Sequence, residues 1–191
     1  MAAKGEATRT RFIDAARGLV EAKGYHGTGL NELLAAAEAP RGSFYHHFPR
    51  GKDQLIGEAL VAAGREVDGV VDRLAETAAT PAQLASRLLT ALAQRMTEAD
   101  YAKGCPVAIV ALEVAAGNPE LRMICGEIYA GWQKRLADAL LDHGRDPATA
   151  EELAATALAL IEGSLVLARA HRSRKPIERV ERQITRLLAT D

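Results

Sequence analysis

The segment 41–48, Arg-Gly-Ser-Phe-Tyr-His-His-Phe, combines basic, hydroxyl-bearing and aromatic side chains. Phe44 and Phe48 are four residues apart, so on a helix they share one face and can pack inward together. Other faces then carry polar side chains, namely Arg41, Ser43, His46 and His47. The planar fork of Arg41 can donate two hydrogen bonds to the O6 and N7 atoms of a guanine. This pattern predicts a contact with nucleic acid, because base edges and phosphates both accept such hydrogen bonds.

No residue pattern typical of a catalytic centre accompanies this segment. The sequence contains no Walker loop, dinucleotide-binding fingerprint, nucleophile elbow or His-Glu-x-x-His motif. Neither the adjacent pair His46 and His47 nor the pair Cys105 and Cys125 has the spacing of zinc ligands. We therefore expect no enzyme, no metal site and no cofactor. The cysteines are expected to be buried or half-buried thiols, with a redox or electrophile sensor as the alternative.

A polar helix face of this kind needs a scaffold, and the surrounding apolar periodicity predicts one. An apolar stripe over 8–23 indicates a first helix, which Gly24 ends. Thr28 is the predicted N-cap of a second helix that ends near Glu38, and Pro40 opens a short third helix. Two short helices joined by a tight turn and braced by a longer helix describe a helix-turn-helix.

Beyond Gly51, apolar stripes and prolines predict six further helices. One starts at Lys52 and carries an apolar stripe from Leu55 to Leu74. The others open at Thr80-Pro81, Cys105-Pro106 (ending at Ala115), Asn118-Pro119, Asp146-Pro147 and Pro176. Alanine is abundant and aromatic residues are only 4%, so the composition also favours helix over sheet. The predicted fold class is all-α with about nine helices, an N-terminal three-helix domain over 1–51 and a larger helical bundle over 52–191.

Charge is distributed unevenly along the chain. Residues 1–52 contain eight Lys and Arg against five Asp and Glu, although the whole chain has a net charge of −1. A basic end suits a phosphate-facing module, while a solvated face is the ordinary alternative. The same alternatives apply to three residues near the N-terminus, Lys4, Arg9 and Arg11.

The sequence shows neither a membrane span nor a secretory signal by the usual criteria. The most hydrophobic segment, 157–170, is interrupted by Glu162 and has Arg169 close to its end. The first eleven residues are polar and basic, with no apolar stretch behind them. We therefore expect a cytoplasmic protein without a membrane partner.

The segment 28–48 closely resembles the DNA-binding signature of the TetR/AcrR (tetracycline repressor-like) family. Thr28, the Ala-rich turn and the block 41–48 stand at the family's relative spacing, with Lys52 four residues on. The chain length and the nine-helix layout extend the resemblance over essentially the whole sequence. Two further segments, Phe-Pro-Arg-Gly-Lys-Asp-Gln-Leu (48–55) and Gly-Cys-Pro-Val (104–107), look like the LmrA/YxaF-type subgroup, whose members repress drug-efflux or aromatic-compound genes.

Two positions depart from the family pattern. Glu38 stands where the turn usually has glycine, and Pro40 replaces the usual Ser or Thr cap of the recognition helix. A positive φ at the turn would strain a non-glycine residue, and a carboxylate near phosphates is repulsive. We expect Glu38 to lower DNA affinity or alter operator preference.

The resemblance implies a regulator that binds double-stranded operator DNA, with the third helix in the major groove. Arg41 is the candidate for base-edge recognition, a phosphate-only contact being an equal alternative. Gly42 permits close approach and Ser43 can bond a base or phosphate. The candidates for phosphate clamps are Thr28, Tyr45, His46 and Lys52.

The same resemblance implies a homodimer and a small-molecule effector. The last two helices are the expected dimer interface, unless the protomer core uses up their apolar stripes. A lipophilic or aromatic ligand would bind in the C-terminal bundle, with the candidate lining Leu92, Met96, Val110, Val114, Met123, Tyr129, Trp132 and Ile161. Glu113 and Glu127 are polar positions in apolar helices and are expected to be exposed, with the anchoring of a cationic or hydroxylated ligand as the alternative. A transcription activator and a helical carrier that binds no DNA are the alternatives to a repressor.

Overall fold

The computed structural model describes residues 2–114 and 117–189, with side chains from residue 5 onward. Over these ranges the chain forms nine α-helices and no strand, which confirms the predicted class. The helices are α1 (Ala2–Lys23), α2 (Leu30–Ala36), α3 (Arg41–His47), α4 (Lys52–Ala75), α5 (Pro81–Glu98), α6 (Pro106–Val114), α7 (Pro119–Asp142), α8 (Pro147–His171) and α9 (Lys175–Leu188). Ala115, the predicted end of the sixth helix, lies outside the described residues.

Three of the predicted helix starts are capped by a side chain. Thr80 precedes α5 and Asp146 precedes α8, and each side-chain oxygen accepts a first-turn backbone N–H, at 3.2 and 3.1 Å. The Asn118 side chain does the same before α7, at 3.1 Å. These bonds satisfy N–H groups that have no partner within the helix, and a proline follows each cap. The predicted starts at these three positions are confirmed.

Two helix starts differ from the prediction. The N-cap of α2 is Gly29, with φ −86° and ψ 150°, rather than Thr28. The Thr28 hydroxyl instead donates to the Gly24 carbonyl oxygen at 2.6 Å, because a carbonyl at the end of α1 has no helical partner. The first helix also begins at Ala2 rather than at Thr8.

The described residues pack into two compact units. The first unit comprises Met1–Arg65 and Cys105–Ile128. Its aromatic centre is formed by Phe12, Phe44 and Phe48, which are almost completely buried. The ring of Phe12 meets the other two edge-on, at centroid distances of 5.6 and 5.8 Å. The predicted inward packing of both α3 phenylalanines is confirmed, and it fixes which face of α3 points outward.

The first unit also contains α6 and the beginning of α7. The beginning of α7 approaches α4 closely at Gly57, where a Cβ would lie 2.8 Å from the Cδ1 atom of Ile124, and at Gly64, which packs on Ile128. Small residues let helices approach closely, so the glycines allow this contact. The division of function at residue 51 stays a prediction, since the packing unit that holds the helix-turn-helix extends well beyond it.

The second unit comprises Glu66–Gly104 and Tyr129–Asp191. Its core brings α5 and α8 against α9, with Leu89, Ile177 and Ile184 completely buried. The core side of α8 is built mainly from alanine, at positions 150, 154, 157 and 168. Arg135 of α7 pairs with Asp68 and Asp72 of α4 within this unit.

Helix α8 corrects the expectation that no segment is apolar enough to span a membrane. Its 25 residues include a window of mean hydropathy 1.6, of which 33% is buried. Glu162 and Arg169 do not lower that value enough to exclude a span by length and composition. A single helix of this kind is weak evidence for a membrane protein, because core helices of soluble proteins meet the same criterion.

Candidate nucleic-acid interface

The turn between α2 and α3 places the start of α3 at the surface. Glu38 occupies this turn with φ 48°, so the predicted positive φ is confirmed at a residue other than glycine. Pro40 is the N-cap of α3, with φ −74° and ψ 156°, and makes no side-chain capping bond. The backbone therefore enters α3 at Arg41 under the geometric constraint of the proline ring.

The outer face of α3 carries most of the residues predicted to contact DNA. Arg41, Gly42, Tyr45 and His46 are exposed, and Ser43 is half-buried. A Cβ at Gly42 would meet nothing within 4 Å, so the space beside it is open. The buried phenylalanines hold this face outward, and the arrangement can present several hydrogen-bond donors to one DNA groove.

A contact that sequence reasoning missed connects α2 to α3. The Nη2 atom of Arg41 donates to the Oδ1 atom of Asn31 at 3.1 Å, across ten residues of chain. Asn31 is exposed in the first turn of α2. Its polarity at an exposed position of a short helix was the available signal, but the pairing depends on how the two helices cross.

Two of the predicted phosphate clamps make internal contacts in this structure. Thr28 is completely buried and its hydroxyl is bonded to Gly24. The Nζ atom of Lys52 donates to the Tyr25 carbonyl at 2.8 Å and lies 4.0 Å from the centroid of the Tyr25 ring. Burial lowers the pKa of Lys52. Phosphate contacts by Thr28 and Lys52 stay predictions, and they require these internal bonds to be shared or exchanged.

A polar network surrounds the turn between α1 and α2. The Tyr25 hydroxyl donates to one carboxylate oxygen of Asp53 at 2.6 Å, and the Asn118 side chain donates to the other at 2.9 Å. Burial, together with the Asp53 carboxylate, raises the pKa of Tyr25 to about 12. The network joins the turn to α4 and to the start of α7.

Glu113 of α6 holds the same turn from another side. It is exposed, as expected, and its Oε2 atom accepts the backbone N–H of His26 at 2.9 Å. Gly24 has φ 76°, and a Cβ there would overlap the Glu113 carboxylate. We call the side chains of Lys52, Asp53, Glu113 and Asn118 the turn clamp.

Several basic residues of the N-terminal region are paired within the first unit. Arg9 pairs with Glu58 and its guanidinium lies 5.6 Å from the Phe48 ring centroid, while Lys23 pairs with Glu32. Arg11 donates to Thr8 at 3.3 Å, and Arg50 pairs with Glu120 at 2.7 Å. The side chain of Lys4 lies outside the described residues. The three pairs with glutamate carboxylates reduce the local positive charge that the sequence count indicates.

The eight predicted ligand-lining residues are divided between the two units. Val110 and Val114 are buried in the first unit, where Met123 is 53% exposed. The second unit contains Leu92, Met96, Tyr129, Trp132 and Ile161, and the Tyr129 and Trp132 rings meet edge-on at 5.6 Å. A groove of about 440 Å³ in the second unit is formed by other residues, Thr80, Ala82, Gln83, Ser86, Arg87, Thr185 and Ala189. The predicted lining stays a prediction.

Neither cysteine takes part in a disulfide bond, and Cys105 is half-buried whereas Cys125 is buried. Burial raises the pKa of Cys125 to about 11, so this residue is a thiol at neutral pH. Their burial matches the first of the two alternatives. Among the described residues, no three His, Cys, Asp or Glu side chains are grouped closely enough to hold a metal ion.

Comparison with known proteins identifies both parts of the chain. The family of bacterial regulatory proteins called tetR matches residues 12–59, and the C-terminal domain of LmrA/YxaF-like transcriptional regulators matches residues 81–183. The transcriptional regulator YxaF of Bacillus subtilis is 28% identical over 184 residues, which cover 96% of each chain.

Other relatives are also regulators. An HTH-type transcriptional regulator of Mycobacterium tuberculosis is 31% identical over 188 residues, covering 96% of this chain and 95% of its own. The transcriptional repressor DhaR of a Mycobacterium species is 26% identical over 161 residues, covering 82% and 79%. The fold matches a regulatory protein TetR from Rhodobacter sphaeroides with a TM-score of 0.85 at 23% identity, over 94% and 98% of the two chains.

Proposed function

Because the chain belongs to the TetR family of DNA-binding transcriptional regulators, and not to a family of enzymes, we propose that it is a ligand-released repressor. It binds a palindromic operator as a homodimer and leaves that operator when a small lipophilic or aromatic molecule binds. The observation that carries this proposal is the outer face of α3. Four exposed residues there stand on a buried aromatic core, within the segment that matches the family.

In the proposed complex, α3 enters the major groove, and different residues of α3 contact the bases and the phosphates. Arg41 donates to a guanine edge, which contributes about 1–3 kcal/mol of discrimination against a wrong base. Gly42 and Ser43 permit a close approach, while Tyr45 and His46 bind phosphates. Thr28 binds a phosphate from the turn between α1 and α2, and Lys52 binds one from the beginning of α4.

Dimerisation follows from the need to present two α3 helices about 34–36 Å apart, one turn of DNA. Helix α8 supports the proposed interface, because Val166 and Leu167 are 55% and 50% exposed and only 33% of its apolar window is buried. A second copy of the same helix would cover this surface in a four-helix arrangement with α9. Burial in such a dimer would also account for α8 in a cytoplasmic protein.

The turn clamp supports a route for release. Glu113 and Asn118 belong to α6 and to the start of α7, and both hold the turn that leads into α2. A ligand that favours a different position of α6 would withdraw these contacts and reorient α2 and α3. To change the ratio of the DNA-releasing to the DNA-binding conformation from 1:99 to 99:1, the ligand must bind the releasing conformation more tightly by about 5.5 kcal/mol.

Selection of bound duplexes from a random DNA pool, at near-physiological salt, tests operator binding. An inverted repeat is the expected product, and its affinity should fall steeply as salt increases. A reporter gene downstream of that operator then distinguishes repression from activation. Failure to enrich any sequence by a folded, dimeric protein would contradict the proposal and favour a helical carrier.

A further inference from the structure

The guanidinium of Arg41 is held by a hydrogen bond from a neighbouring helix. Arg41 is the first residue of α3, and its exposed side chain donates to the Oδ1 atom of Asn31 at 3.1 Å. An exposed arginine otherwise samples many rotamers, because the side chain has several freely rotating bonds. The hydrogen bond to Asn31 restricts this sampling on the face that would approach DNA.

The buried core fixes the distance between these two residues. Leu33 of α2 and Phe44 of α3 are almost completely buried, so the two short helices cannot slide independently. Asn31 and Arg41 thus face each other because of the crossing of α2 and α3.

The chemistry of the asparagine suits this task better than a carboxylate would. A neutral carbonyl oxygen holds the guanidinium without cancelling its charge. The bond uses one of the five N–H donors of arginine, so a pair of donors stays available for a guanine edge. Glu32, the acidic neighbour in the same turn, is paired with Lys23.

We propose that Asn31 is a positioning residue that orients Arg41 for reading a guanine in each operator half-site. This inference rests on the proposed operator binding. Preorganisation reduces the entropy lost when Arg41 binds, and the effect of one immobilised side chain corresponds to about twofold to tenfold in affinity. That gain applies to the base pair read by Arg41.

The test compares the affinity for the selected operator with the affinities for operators changed at one base pair. Arg41→Ala should reduce discrimination at one position of each half-site by about fivefold or more. Asn31→Ala should reduce discrimination at the same position by about twofold to tenfold, with an unchanged salt dependence. Combining the two substitutions should add nothing to the effect of Arg41→Ala.

Asn31→Asp is the conservative control. It keeps the acceptor oxygen and the side-chain shape, so position-specific discrimination should return, while the added negative charge weakens binding to all sequences. The thermal melt of each variant, followed by circular dichroism, should match the unsubstituted protein because Asn31 is exposed.

Three results would overturn the inference. Asn31→Ala could leave discrimination intact, change it at a different base pair, or reduce it further in the Arg41→Ala background. In each case Asn31 would not act through Arg41. If the unsubstituted protein selects no operator at all, the proposed function itself fails, and that result is obtained before any variant is compared.

Discussion

Gly24→Ala is the substitution whose effect follows most directly from the turn clamp. Gly24 has φ 76°, and a Cβ there would overlap the carboxylate of Glu113. Gly51 has almost the same backbone angle, φ 77°, but nothing lies within 4 Å of its Cβ position. The two glycines form a matched pair, because substituting either one introduces the same backbone strain and only one introduces the clash.

The expected magnitudes differ for that reason. A left-handed backbone angle costs an alanine about 1–2 kcal/mol relative to glycine at both positions. At Gly24 the Glu113 carboxylate must also move away, which breaks its hydrogen bond with the His26 N–H. A bond to a charged group contributes about 1.5–3 kcal/mol. Because His26 and Glu113 are exposed, water replaces part of this hydrogen bond. We therefore expect Gly24→Ala to lower the free energy of unfolding by about 1–2 kcal/mol more than Gly51→Ala does.

Urea unfolding at a fixed protomer concentration measures the free energy of unfolding lost in each of the two variants. The comparison requires that the slope of this free energy against urea concentration is the same for all the proteins. Repeating the pair of substitutions in a Glu113→Ala background isolates the carboxylate. There the free energies of unfolding lost at Gly24 and at Gly51 should become equal. Equal losses in the original background, or a difference that persists without Glu113, would show that the carboxylate does not hold the turn.

Further predictions concern DNA binding, pH and assembly. Lys52→Ala should weaken binding to all DNA sequences and lower the slope of log affinity against log salt concentration by about 1. Arg41→Ala should instead relax specificity at one base pair, and equal losses of discrimination in the two variants would refute these roles. The ring nitrogens of His143 lie 2.8 Å from the Ala139 carbonyl oxygen and 3.1 Å from that of Ala79, so only the doubly protonated ring donates to both. These carbonyls, with a smaller contribution from Asp142, raise the pKa of His143 above its ordinary value of 6.5. The contribution of His143 to the free energy of unfolding should therefore be complete below pH 6.5 and should disappear as the pH rises through the folded-state pKa. Urea unfolding of His143→Gln and of the unsubstituted protein, between about pH 5.5 and 8.5, measures this contribution as the difference between their free energies of unfolding. A difference that grows as the pH rises would contradict the prediction. Leu167→Asp should convert the dimer to monomer in sedimentation experiments, whereas Leu112→Asp, at a residue 81% exposed in the first unit, should leave the dimer intact.

The helices and several of their starts were predictable from local chemistry. Thr80, Asn118 and Asp146 each precede a proline, and the capping side chain and the fixed φ act within a few residues of one another. The inward direction of Phe44 and Phe48 followed from their four-residue spacing. The strained position of Glu38 was also predictable, because the conformation of a tight turn depends on its own backbone.

The partners of polar side chains were not predictable in this way. Thr28 has the residue type of an N-cap, yet its hydroxyl bonds to Gly24 because the folded turn offers it a carbonyl at 2.6 Å. Lys52 has the residue type of a phosphate clamp, yet it donates to Tyr25. Residue type specifies which hydrogen bonds a side chain can make, whereas its actual partner depends on competition among neighbours brought together by folding.

The sequence by itself determined the all-α class, the helix-turn-helix and the outward face of α3, because periodicity and capping act over short stretches of chain. Only the tertiary structure decided that α6 and the start of α7 pack with the helix-turn-helix, and that Glu113 and Asn118 hold its first turn. The Glu113 contact joins residues 87 positions apart in sequence, and no local pattern encodes such a separation. It arises because the buried apolar faces of several helices can be covered together in only one arrangement, and the polar groups at their edges then meet.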